Sequence, residues 1–190
     1  MRNSKGFTLL EVTVVLVVIS LLSIIFIANY REGEKQFALK RSAHQLAQSL
    51  RKAQGMALSS QEFMGAYQGG YGIYLSETSG GEETGVYTLF VDCDNDNKFD
   101  GDDLVCDDCR GGSCTASSSE RIEDFSLETR IKIDNLTPSS IGNTLCITFT
   151  PPEPTVVFDP DGASVSITLN FEGGSGKTVF VNKACLIEIE

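Results

Sequence analysis

The stretch MRNSKGFTLLEVTVVLVVISLLSIIFIANY, residues 1–30, decides how the rest of the chain is read. Two cations, Arg2 and Lys5, precede Gly6. From Phe7 to Ala28 every residue is apolar or small and hydroxylated, with one exception, Glu11. About 22 residues at a rise of about 1.5 Å each cross a hydrocarbon layer of about 30 Å as a helix. A cleaved secretory signal would be shorter, about 7–15 apolar residues, and would end at a small-residue cut site that is not found near Ala28. A plain single-span anchor, with Arg2 and Lys5 held in the cytoplasm, explains the length but not Glu11. A carboxylate inside such a span costs at least about 2.5 kcal/mol on insertion scales, so Glu11 is read as functional.

Lys5-Gly6-Phe7-Thr8-Leu9-Leu10-Glu11, followed by an unbroken apolar run, resembles the type IV prepilin signature. Type IV pilins and the pseudopilins of type II secretion systems share it. The resemblance implies that a membrane prepilin peptidase cuts between Gly6 and Phe7 on the cytoplasmic side and then N-methylates Phe7. It further implies other pilins or pseudopilins in a filament and an inner-membrane assembly platform as partners. The chain would be a single-pass protein of the inner (cytoplasmic) membrane, its head in the periplasm or outside the cell. Cleavage would also make the Phe7 nitrogen a cation at an apolar boundary, costly if unpaired. Glu11, at i+4, would lie one turn along the same helix face and could pair with the Phe7 amine of a neighbouring subunit, setting register.

Beyond Tyr30 the polarity rises but the helical period persists. Leu39, Ala43, Leu46, Leu50, Ala53 and Ala57 form one stripe, with Lys35, Lys40, Arg41, Gln48 and Arg51 mostly elsewhere on the helix. No proline occurs before Pro138, so one helix of about 50 residues is expected, with Gly33 and Gly55 as weak points. His44, the only histidine, is off the stripe and is read as a solvated residue. From about Gly65 the period changes to short β-like runs: 69–75 and 85–91 as a hairpin, then Ile131–Ile133, Leu145–Phe149, Thr155–Phe158, Val165–Phe171, Thr178–Val181 and Leu186–Ile189. The expected class is α+β: a long N-terminal helix, spanning in its first half and amphipathic in its second, packed on an antiparallel β-sheet head. The expected organisation is a leader (1–6), a membrane half (7–28), an amphipathic half (29–62) and a globular head (63–190) with an acidic, Cys-rich loop at 92–119.

Within that order, a strand ending Phe90-Val91-Asp92, an Asp/Asn-rich loop and then Val156-Val157-Phe158-Asp159-Pro160-Asp161-Gly162 before a closing strand resemble the GspH/FimT-type minor pseudopilins and pilins. Leu46 to Gln54 with Ala57 resembles the helix of that group.

The loop from Asp92 to Asp103 can be laid on a calcium loop, with Asp92, Asp94, Asp96, the Lys98 carbonyl, Asp100 and Asp103 at the ligand positions and Phe99 in the hydrophobic slot. Asn97 stands where a glycine makes the sharp turn, and Asp103 replaces the bidentate glutamate. The competing reading is a solvated acidic turn, and no cofactor is required by the rest of the chain. Cys93, Cys106, Cys109 and Cys114 surround this loop, while Cys146 and Cys185 lie in late strands. A head outside the cytoplasm favours disulfides, and the expected set joins Cys146 to Cys185 and closes the other four locally. A four-thiolate zinc site in the loop is the alternative, without the usual paired knuckle spacing.

The composition is acidic, 15 Lys+Arg against 26 Asp+Glu for a net charge of −11, which disfavours a phosphate backbone as partner. No histidine stands beside a nucleophile, and no phosphate-binding glycine loop is present. The chain is therefore expected to be an enzyme's substrate, a structural pilin or pseudopilin subunit. An adhesive or DNA-uptake minor pilin and a signal-anchored extracytoplasmic domain are the alternatives.

Overall fold

The structure is a computed structural model that describes residues 6–60, 62–63, 66–67, 69–77, 85–93, 95–101, 120–140, 142–151, 155–172, 174 and 176–190, with backbone alone at 27–32, 62–63 and 66–67. The chain divides into two compact units, Met1–Phe37 and Ala38–Glu190.

The first unit is built on the N-terminal part of helix α1, Leu9–Leu58, a single helix of 50 residues that runs unbroken through Gly33 and Gly55. Leu9–Phe26 is long and apolar enough to cross a membrane. All its side chains are exposed, Leu9 at 83% and Phe26 at 73%, so this surface has no core within the chain to enter. A helix apolar on every side is stable where the surroundings are apolar too. Its few hydroxyls are satisfied internally: Thr13 donates to the Leu10 carbonyl, Ser20 to Leu16 and Ser23 to Ile19, each at 2.8 Å.

The second unit contains the rest of α1 and the strands β1 (Glu62–Phe63), β2 (Ala66–Tyr67), β3 (Gly70–Ser76), β4 (Val86–Asp92), β5 (Arg121–Ser126) and β6 (Ile131–Thr137). They are followed by β7 (Thr144–Thr150), β8 (Thr155–Asp159), β9 (Ser164–Phe171), β10 (Gly176–Asn182) and β11 (Ile187–Ile189). Five strands form one sheet in the order β5-β4-β3-β7-β8, four form another in the order β11-β10-β9-β6, and β1 pairs with β2. Every pairing is antiparallel. The fold is α+β, with the strands divided between two main sheets. The 69–75/85–91 hairpin is present as β3 and β4, Tyr71 opposite Val91 and Ile73 opposite Leu89.

One core joins these parts. The stripe Leu39, Ala43, Leu46, Leu50, Ala53 and Ala57 is buried, as its spacing requires. It meets Tyr71, Ile73, Leu75, Tyr87, Leu89, Leu145, Ile147 and Phe149 of the five-stranded sheet and Val165, Ile167, Leu169, Val179 and Val181 of the other. Alternation along each strand sends these residues to one face. In β6 the alternation is broken by a bulge between Ile133 and Asn135, and the extra residue returns Leu136 to the core beside Ile131 and Ile133. This break is why the sequence pattern ends the strand too early.

Polar groups tie the helix to β5 and to the turn after it. Arg41 forms a two-bond fork with Glu128 (2.5 and 2.9 Å), Gln45 Nε2 donates to the Ser126 carbonyl (3.2 Å), and Lys52 pairs with Glu123 (2.6 Å). Beneath them the Ser49 and Tyr87 hydroxyls are 3.0 Å apart, and Tyr87 stacks on Phe125. His44 is exposed, as expected.

Two glycines predict opposite outcomes. A Cβ at Gly72 would meet the Phe90 ring at 2.5 Å and the Ile147 carbonyl at 2.8 Å, whereas one at Gly55 meets nothing within 4 Å. Gly72→Ala is expected to destabilise the head by about 1–3 kcal/mol through overpacking. Gly55→Ala is expected to stabilise it by about 0.5–1 kcal/mol through helix propensity. Urea titration of the detergent-solubilised chain measures both.

Candidate functional site

At the processing end, residues 6–8 are neither helix nor strand, and α1 begins at Leu9. Thr8 is its N-cap. The Glu11 N–H donates to Thr8 Oγ1 at 3.2 Å, and the Val12 N–H donates to the Thr8 carbonyl at 3.3 Å. Thr8 and Glu11 stand at capping-box spacing, a pattern legible in the sequence that a reading centred on charge and hydropathy passes over. Phe7 is 82% exposed and precedes the helix, so in the uncut chain it does not share a helical face with Glu11. The Glu11 carboxylate is exposed in the apolar segment, and none of the described residues hydrogen-bonds or ion-pairs with it.

The acidic loop closes over the outer face of the five-stranded sheet. Asp92 is fully buried and its Oδ2 accepts the Asn97 N–H at 3.2 Å. Asn95 and Asn97 both have φ of 65°, a left-handed conformation that asparagine tolerates better than most residues. Asn97 thus makes the sharp turn without a glycine. Asp96 Oδ1 accepts the Lys98 N–H at 2.8 Å, which turns this carboxylate onto the loop's own backbone. Glu120 was not foreseen and is the loop's main anchor: fully buried, it accepts the Cys93 N–H on one oxygen and the Asp100 N–H on the other, each at 3.1 Å. Its role was hidden because 27 positions separate it from Cys93. Phe99 then lies on the sheet, 5.0 Å from the Tyr74 ring and 5.5 Å from that of Phe90, with the Arg121 guanidinium 5.5 Å from its own ring centre. Burial acts to raise the nearby Asp124 carboxyl, but the Thr88 hydroxyl and the Arg121 guanidinium outweigh it and hold it below its usual range.

Of the acids laid on a calcium loop, Asp92, Asp96 and Asp100 are described, and Asp94 and Asp103 lie outside the described residues. Among the described residues no group of three acids, cysteines or histidine is placed to hold a metal. The zinc alternative falls on Cys106, Cys109 and Cys114, which also lie outside them.

Cys93 is disulfide-bonded. The expected Cys146–Cys185 bond is not formed, since neither residue is in a disulfide. The reason is topological. Cys146 pairs in register with Tyr74 and Asp159 on the outer side of the five-stranded sheet, beneath the acidic loop. Cys185 follows β10 in the other sheet and packs towards the core. Burial pushes the Cys146 thiol up to about 12, and Asp159, Asp96 and Glu120 add to the rise while a bond to the Phe99 backbone opposes it. Burial also raises the Cys185 thiol.

Two matches to known families bear on this geometry. Residues 1–27 match the prokaryotic N-terminal methylation motif, and residues 42–184 match the type II transport protein GspH family. The chain belongs to the GspH family. It is a membrane-anchored pseudopilin or minor pilin, a structural class of protein. No curated protein and no solved structure matches it. The GspH match begins in α1 and ends in the segment after β10, so it takes in the buried stripe from Ala43 onward, the five-stranded sheet, β6, β9 and β10 of the other sheet and the acidic loop.

Glu120→Ala is expected to free the loop. Amide exchange at Cys93 and Asp100 should rise well above that of the β3–β7 ladder, with about 1–3 kcal/mol lost from the unsatisfied N–H groups. Unchanged exchange would show that Glu120 does not hold the loop. Cys146, whose thiol stays protonated near neutral pH, is expected to resist maleimide in the folded chain and to label on unfolding, read by intact mass.

Proposed function

We propose that this chain is a minor pseudopilin of a type II secretion pseudopilus. It is inserted into the inner membrane as a single span with the Arg2/Lys5 leader in the cytoplasm, and is cut by the prepilin peptidase between Gly6 and Phe7. N-methylation of Phe7 follows, and the mature chain is drawn through the assembly platform into the filament with its head outside the cytoplasm. The observation that carries this reading is Glu11, a carboxylate in an exposed apolar helix with no partner among the described residues of its own chain. Such a charge is costly in lipid unless something neutralises it. The Phe7 amine created by cleavage on an adjacent subunit has the right sign. The pairing would favour one axial offset between neighbouring helices and disfavour others.

The chain acts here as a peptidase substrate and then as a building unit. The deciding experiment is intact-mass and N-terminal analysis of membrane-purified protein made with and without the peptidase. A mature chain beginning at methylated Phe7, lost in Gly6→Ala, is the expected result. A chain that keeps Met1, or one cut near Ala28, would sink the reading. Glu11→Gln is expected to be processed but to cross-link to neighbouring pseudopilins at least about tenfold less, since the amide cannot pair with an ammonium as a charge.

A further inference from the structure

The residues around the cut site do more than mark it. Helix α1 starts at Leu9, where Thr8 holds the Glu11 N–H with two acceptors, its carbonyl at 3.1 Å and its Oγ1 at 3.2 Å. The competing acceptor for that N–H is the Phe7 carbonyl, the i−4 partner that a helix extended backward would use. Taking it would wind Phe7 into the first turn and carry the Gly6–Phe7 bond onto the helix. The hydroxyl adds to the hold of Thr8 on this N–H and so weighs against the Phe7 carbonyl.

A second observation points outward from the chain. A Cβ added at Gly6 meets nothing within 4 Å, and the φ of this residue is not in the left-handed range. None of the described residues crowds this position, which leaves the Gly6–Phe7 bond open to a partner. The neighbouring Phe7 side chain is 82% exposed and open to the same partner.

We propose that Thr8 is a positioning residue for processing: by capping α1 at Leu9 it keeps the Gly6–Phe7 bond in the non-helical form that a membrane peptidase takes. This rests on the prepilin reading above. The reaction is hydrolysis and balances with water alone. The amide bond breaks, hydroxide is added at the Gly6 carbonyl carbon, and the protons complete the Phe7 amine. Thr8 takes no part in the bond changes.

The test is the initial rate of cleavage of the full chain in membranes carrying the peptidase, followed by intact mass. Thr8→Val keeps the shape and removes the acceptor, and is expected to slow cleavage about threefold to tenfold, the weight of a lost cap. Thr8→Ser restores the acceptor and should be cut near the wild-type rate. Thr8→Val with Leu9→Pro is the decisive variant. Proline is tolerated at the first helical position and disfavours helix at the residue before it, so it should rescue cleavage without any hydroxyl. Thr8→Val cut at the wild-type rate overturns the proposal. Slow cleavage that serine rescues and proline does not overturns it too, because the enzyme would then be reading the hydroxyl itself. Failure of the underlying reading looks different: wild type would be uncut, or Gly6→Ala would be cut normally.

Discussion

A helix of 50 residues cannot bury its own apolar surface, and this one has two such surfaces of different kinds. Up to Phe26 the apolar groups face every direction, so only an apolar medium can cover them. From Leu39 to Ala57 they narrow to one stripe, which a folded head can cover. The rest of the second unit follows from that stripe. Its small members, Ala43, Ala53 and Ala57, with the buried Ala47 beside them, let the sheet residues approach closely, while Leu39, Leu46 and Leu50 fill the spaces between. Both sheets turn their alternating apolar faces towards it. The bulge in β6 is the adjustment that keeps the last residue of that strand, Leu136, within the same core.

The outer side of the five-stranded sheet has a different solution. Gly72 has no side chain, and the Phe90 ring occupies the space. Phe99 comes from the loop to cover it, and Tyr74 and Cys146 complete a small second cluster away from the main core. The loop's backbone N–H groups are met by two buried carboxylates, Asp92 and Glu120, so its acidity is partly structural. The same stretch that suggested an ion site in the sequence thus carries a large share of its own framework.

Much of the fold was legible because its periods are clean. The stripe from Leu39 to Ala57 and the alternation in β3, β4, β7 and β9 each point to one buried face, and each is buried. Strand β5 was missed for the opposite reason. Arg121, Glu123, Asp124 and Ser126 are exposed and only Ile122 and Phe125 are half-buried, so it has no apolar rhythm and is held by its ladder with β4 and by helix side chains. The cysteines were misread because spacing along the chain says nothing about which side of a sheet a residue occupies. At the processing end the motif was read for its chemistry. The N-cap geometry of Thr8 belongs to a level of local structure that hydropathy does not report.

The polar ties between α1 and β5 have a consequence for assembly. β5 is an edge of its sheet, and an unprotected edge invites another chain to add a strand. Here the Gln45 amide already engages the Ser126 carbonyl, while the Arg41–Glu128 and Lys52–Glu123 pairs lie alongside the strand. An incoming strand would have to dislodge the helix's own side chains to reach that carbonyl. The head is thereby guarded against sheet-to-sheet polymerisation on this side. For a subunit of the proposed filament, such a guard would leave growth to the membrane helix.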